Sequence, residues 1–143
     1  MRYAGKYRRN GSCDKSACPV IEMEHMSNAK TRFEHAEPIL CVRDMTASVK
    51  YYVDILGFKN AEWGGDEFTH VSRDGAGIYL AQGEQGQPGT WVWVGVEDVT
   101  ALYEEYKASG ARIRTKPENL PWALEMTVED PDGHVLRFGS EPL

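Results

Sequence analysis

The chain has 143 residues, of which 41% are hydrophobic and 27% charged, with a formal net charge of −6. That is one ordinary domain with room for a buried core, without a run of about twenty apolar residues to cross a membrane. The acidic balance disfavours nucleic-acid partners, three cysteines make no disulfide framework, and the compartment reads as cytoplasmic.

Residues 1–34 read as a flexible N-terminal extension. They hold seven Lys/Arg against four Asp/Glu, a balance of +3 that leaves −9 for the remainder. No helical or strand period runs through them, and the basic residues lack the apolar core of a secretory signal. Met23 or Met26 is expected as the natural start. Cys13, Cys18 and His25 have no fourth ligand at zinc spacing, so no zinc site is expected there.

From residue 35 the chain repeats itself. Val42-Arg-Asp-Met-Thr-Ala47 returns as Val96-Glu-Asp-Val-Thr-Ala101, 54 residues later. Each copy follows an apolar strand-like segment, 38–42 and 91–96. Each precedes a helical pattern: Met45, Val49, Tyr52, Val53 and Leu56 ending at Gly57, then Val99, Leu102, Tyr103 and Tyr106 ending at Gly110. Asp44 and Asp98, or the threonines two residues on, suit the N-caps. Residues 58–63, 67–73 and 77–81 read as three strands after the first helix. Residues 111–114, 122–129 and 134–139 read as three after the second. Asp74-Gly75 and Asp130-Pro-Asp-Gly133 are turn chemistry for hairpins, and Arg73-Asp-Gly75 parallels Pro131-Asp-Gly133 at an offset of 58. Gly83 to Gly89 links the halves. The expected class is α+β: two βαβββ modules, 35–83 and 90–141, within one domain spanning 35–143.

The stretch Pro121-Trp-Ala-Leu-Glu-Met-Thr-Val-Glu-Asp-Pro-Asp-Gly-His-Val-Leu-Arg-Phe138 resembles the W-G-x-E-x-x-x-x-D-P-D-G-x-x-L-R-F segment of bleomycin-resistance-like members of the vicinal oxygen chelate superfamily. That superfamily unites glyoxalases, bleomycin resistance proteins and extradiol dioxygenases. Val42-Arg-Asp44, Tyr51-Tyr52 and Leu56-Gly-Phe58 match the opening of its first module. The resemblance implies that each module curls its strands into a cup with the helix outside. It also implies a homodimer whose crevices form between modules of two subunits. Ala123 and Leu124 depart from the Gly and, in some relatives, Arg that follow the Trp, which puts any drug's identity in doubt.

Strand alternation then assigns faces. Val92, Val94 and Val96 should face the helix, and Trp91 and Trp93 the cup. Leu40 and Val42 send Glu37, Ile39 and Cys41 cupward, and Tyr79 and Arg137 follow by the same rule. In metal-using relatives four cup positions carry His, Gln or Glu; by the repeat these fall on Glu37, Tyr79, Trp91 and Arg137. An indole cannot ligate and a guanidinium repels a divalent cation, so no metal cofactor is expected. The other histidines do not fill the set: His35 precedes the first strand, His70 has uncertain facing, and His134 should face the helix or solvent.

The expected ligand-binding residues are Glu37, Tyr79, Trp91, Trp93, Trp122, Glu125 and Arg137; no catalytic residue is assigned. The aromatics would stack a planar ligand, the carboxylates would favour a cation, and Arg137 would take a carboxylate or pair with Glu37 or Glu125. The expected function is sequestration of a small molecule, an aromatic or cationic antibiotic among the candidates, without a metal. The alternative is a metal-dependent lyase, isomerase or dioxygenase of the same superfamily.

Overall fold

The computed structural model describes residues 30–143. The chain divides into two units, Met1–His35 and Ala36–Leu143. Of the first, residues 30–35 are exposed and without regular structure; Cys13, Cys18 and His25 lie outside the described residues.

The second unit is an α+β arrangement with the βαβββ order twice. Strand β1 (Ile39–Cys41) leads into helix α1 (Met45–Lys50), followed by β2 (Lys59–Asn60), β3 (Phe68–Arg73) and β4 (Ala76–Ala81). Strand β5 (Trp91–Gly95), helix α2 (Val99–Ser109), β6 (Arg112–Asn119), β7 (Leu124–Glu129) and β8 (Val135–Ser140) repeat the pattern. The two sheets have orders β1-β4-β3-β2 and β5-β8-β7-β6. In each the first strand pairs with the last in parallel, and the remaining pairs are antiparallel. The duplication holds at the level of register, since Ile39 lies opposite Tyr79 and Trp93 opposite Arg137.

Both helices start on the aspartates rather than the threonines. Asp44 accepts from the Ala47 N–H at 3.1 Å and Asp98 from the Ala101 N–H at 3.0 Å, satisfying one of the orphan donors of each first turn. Helix α2 ends at Gly110, whose φ of 82° is the left-handed cap that glycine adopts without strain. Helix α1 departs from its expected period. At Tyr51 it widens into a π-type stretch, Tyr51–Ile55, with the Leu56 N–H donating to the Tyr51 carbonyl at 3.0 Å. An extra residue in the turn shifts the inward face by one position, so the adjacent Tyr51 and Tyr52 are both buried while Val53 is only partly so. Their hydroxyls reach the second module: Tyr51 donates to the Glu129 carbonyl at 2.7 Å and Tyr52 to the Asp130 carboxylate at 3.0 Å.

Strand β2 is shorter than expected. Strand β6 is longer, running through Pro117, which falls at a register irregularity of this edge strand where it has no partner residue. Trp122 lies before β7 rather than in it, because the Leu120 N–H closes a turn on the Ala123 carbonyl at 2.9 Å.

One core serves both modules. Leu40, Leu80, Tyr52 and Leu56 of the first cluster with Tyr106, Met126, Leu136 and Phe138 of the second. His134 does not reach solvent. It is fully buried in the β7–β8 turn, where Nδ1 accepts from the Thr90 N–H at 3.0 Å and Nε2 bonds the Cys41 carbonyl. It thereby ties the end of β1 to the start of β5, and its role is structural.

Candidate functional site

Alternation leaves one face of each sheet away from the helices, and the aromatic side chains gather there. Trp91 and Trp93 are 56% and 58% exposed on β5, while Val92 between them is half-buried and Val94 beyond them is buried. Trp63 and Trp122, at 62% and 63%, complete the set, so all four tryptophans of the chain are exposed. Exposed indoles in such number are unusual for a surface that stays wet.

The first module builds an aromatic ladder. Trp63 stacks on Phe68 with centroids 6.3 Å apart, Phe68 stacks on Tyr79 at 5.3 Å, and Tyr79 tilts against His70 at 4.6 Å. His70 Nε2 lies 2.9 Å from Glu37 Oε2. The pair sits directly over Gly77, where an added Cβ would fall 2.6 Å from His70 Nε2 and collide with Glu37 Oε1. Gly77→Ala is therefore expected to displace the Glu37–His70 pair while the fold persists. The check is the chemical shifts of the His70 ring by NMR; ring signals that do not move in the variant would contradict the contact.

The second module is built differently. The Trp93 indole lies on the backbone of Gly139 and Gly95: a Cβ at Gly139 would come 2.7 Å from Trp93 Cζ2, and one at Gly95 3.0 Å from Cζ3. Two glycines thus let the ring approach the sheet, leaving much of it exposed. In the same rows Glu125 lies opposite Gly139, and Arg137 opposite both Thr127 and Trp93. Glu125, 7% exposed, accepts from Trp122 Nε1 at 3.0 Å and from Arg137 Nε at 2.7 Å, with Arg137 Nη2 at 2.6 Å. A carboxylate this desolvated needs both partners.

The structure therefore gathers six of the seven expected residues into two groups, with Trp91 of β5 outside both, opposite Val135. Trp122, Glu125 and Arg137 form one connected set beside Trp93, and Glu37 and Tyr79 meet through His70. Arg137 pairs with Glu125 and not with Glu37. Both carboxylates are engaged, which removes the bare negative charge expected to draw a cation. Trp63 and Phe68 were not among the expected site residues and the facing of His70 was left open; the structure sets Phe68 and His70 on the face opposite Thr69 and Val71, both 1% exposed or less.

The four cup positions do not fit a metal. Arg137 brings a cation held by Glu125, Trp91 offers no lone pair, and Glu37 is paired with His70. Among the described residues no group of three or more His, Cys, Asp or Glu is placed to hold an ion. A shallow groove at Arg43, Ser48 and Asp132 includes none of the cup residues.

Comparison with solved structures finds the same architecture. The bleomycin-binding protein of bleomycin-producing Streptomyces verticillus, complexed with copper(II)-bleomycin, is 27% identical with a TM-score of 0.68, over 78% of this chain and 98% of its own. An antibiotic-binding protein of Streptomyces sp. CB03234 is 22% identical (TM-score 0.67, covering 80% of this chain and 100% of that one). A virulence protein of Salmonella typhimurium is 16% identical with a TM-score of 0.64, over 78% and 99% of the two chains. Comparison with curated protein sequences finds no match. The family model described as Glyoxalase/Bleomycin resistance protein/Dioxygenase superfamily matches residues 32–138. On that match and this fold, the chain belongs to the glyoxalase/bleomycin resistance protein/dioxygenase superfamily.

Proposed function

We propose that this protein binds a small planar molecule by stacking it on the tryptophan-bearing cup faces, without a metal and without chemical conversion. The observation that carries the reading is the set of four exposed indoles, two of them in one strand and one laid flat on glycines. Aromatic faces of this kind hold aromatic or heteroaromatic ligands at low entropic cost, because the rings are already positioned. The ligands of these relatives, bleomycin and an antibiotic, support an antibiotic as the class to test first. The metal-free reading rests on the donor set described above.

A single cup presented to water is half a crevice. A homodimer that sets one copy's first module against the other's second would enclose a ligand on both sides, and sedimentation velocity measures that state. The cytoplasmic placement rests on the odd number of cysteines and the free thiol of Cys41. One observation favours a second reading, in which the cup is an enzyme site: the Glu37–His70 pair at 2.9 Å is an arrangement suited to moving a proton.

The test is titration of the full chain with bleomycin and with polycyclic aromatic antibiotics, followed by calorimetry. Saturable binding with the ligand recovered unaltered is expected. Trp93→Ala should weaken it by about 1–3 kcal/mol, the scale of one lost stack with its burial. Unchanged affinity in that variant would show that the cup faces are not the site, and conversion of the ligand would move the assignment to the enzyme reading.

A further inference from the structure

We infer that Arg114 makes the second module's cup selective for planar aromatic ligands that carry a negative charge; this rests on the stacking reading above and narrows its ligand class. Strand β6 is irregular where Arg114 sits. Ile113 lies opposite Val128 and Thr115 opposite Thr127, so two steps on β6 match one on β7 and Arg114 is the extra residue. A bulge re-aims the side chain it carries. Ile113 packs on the core and Thr115 bonds Thr127 through their hydroxyls at 2.7 Å, and Arg114 is turned out between them. Its guanidinium carbon lies 5.3 Å from the centroid of the Trp91 ring. Strands β6 and β5 are opposite edges of a four-stranded sheet, which if flat would stand about 14 Å apart. The sheet is therefore curled enough for a side chain from one rim to meet a ring on the other, and the cation lies across the cup.

The charges around it decide the sign of the ligand. Glu125 is consumed by Arg137, whose Nε and Nη2 both face it. Arg112 lies opposite Glu129 in register. Further along β6 stand one residue of each sign, Lys116 and Glu118. Among the described residues Arg114 has no carboxylate within ion-pair distance, and its contact is the Trp91 ring. The cup thus carries one surplus cation inside a domain whose overall charge is negative. A ring stacked on Trp93 that bears a carboxylate or sulfonate would meet that planar fork, which pairs with such groups through two parallel hydrogen bonds. A cationic ring would meet like charge.

The experiment uses the full chain labelled with nitrogen-15 and follows the four indole N–H signals against three probes of one ring and different charge: 1-naphthoate, 1-naphthamide and 1-naphthylmethylammonium. Naphthoate is expected to bind about fivefold or more tightly than the ammonium probe, with the amide between, and the gap should shrink with added salt. Within the Arg114→Gln variant naphthoate should bind no more tightly than the amide, while Arg114→Lys restores part of the gap. Equal affinity for all three probes, or preference for the ammonium, overturns the charge selection and leaves the stacking reading standing. A naphthoate preference that survives Arg114→Gln overturns the assignment to Arg114. Indole signals that none of the probes moves overturn both readings.

Discussion

Asp130→Ala is expected to cost about 3–5 kcal/mol, a large part of the roughly 5–15 kcal/mol that holds a domain together. Asp130 is fully buried, and three donors depend on it. Oδ1 accepts from the Asp132 N–H at 2.8 Å and the His134 N–H at 2.9 Å, and Oδ2 from the Tyr52 hydroxyl at 3.0 Å. Truncation strands all three, each at about 1–3 kcal/mol, offset in part by the removal of a desolvated carboxylate. Asp130→Asn keeps the Oδ1 bonds and should cost far less. Urea denaturation of the two variants measures the difference, and equal losses would contradict the hydrogen-bond account.

The same carboxyl sets a pH dependence. Burial pushes Asp130 above its ordinary 3.8, against the lowering effects of His134 and of the backbone N–H groups of His134 and Asp132. The folded chain therefore keeps this proton to higher pH than the unfolded chain does. Asp130's contribution is fully present below the unfolded value and is lost as pH rises through the folded one. Asp130→Asn removes that titration. The stability of the native chain relative to the Asn variant should thus fall as pH rises from about 4, then level off; a relative rise over that interval would reverse the assignment.

Tyr106→Ala carries the second large effect, about 3–5 kcal/mol, because it opens a void at the junction of the modules. Tyr106 is 1% exposed, sets its ring edge-on to Phe138 at 5.6 Å, and donates to the Leu56 carbonyl at 2.9 Å. Burial pushes its hydroxyl well above the ordinary tyrosine value, so it stays a neutral donor. Tyr106→Phe isolates the hydroxyl. The Leu56 carbonyl keeps a second donor, Arg73 Nη1 at 2.8 Å, so the Phe variant should lose only about 1 kcal/mol. If thermal unfolding finds Phe as damaging as Ala, the ring's packing is not what Tyr106 supplies.

Much of the fold was legible because its signals are local and occur twice. The aspartate caps, the Gly110 stop, the Asp-Gly turns and the alternation of Val92 and Val94 with Trp91 and Trp93 each depend on residues within a few positions of one another. The exposed side of β5 follows from that alternation alone. What was missed depends on partners distant in sequence. Tyr51 and Tyr52 both turn inward because Glu129 and Asp130 receive their hydroxyls, 78 residues away, and no helical period predicts a π-type turn. His134 is buried because Cys41 and Thr90 meet there.

The candidate site divides along the same line. Sequence by itself determined that Tyr79, Trp91, Trp93 and Arg137 stand on the faces away from the helices, because period two along a strand fixes the side of the sheet whatever lies beyond it. It also determined that two of the positions which the family resemblance assigns to metal ligands carry Trp91 and Arg137, since ligand chemistry belongs to the residue. Only the tertiary structure decided who meets whom. It gave Glu125 to Arg137 and Glu37 to His70, and so changed the charge that a ligand would meet. It laid Trp93 on Gly139, and it carried Arg114 across the curled sheet to Trp91. Those outcomes rest on register, bulges and curl, which are set by packing across strands that the chain order keeps apart.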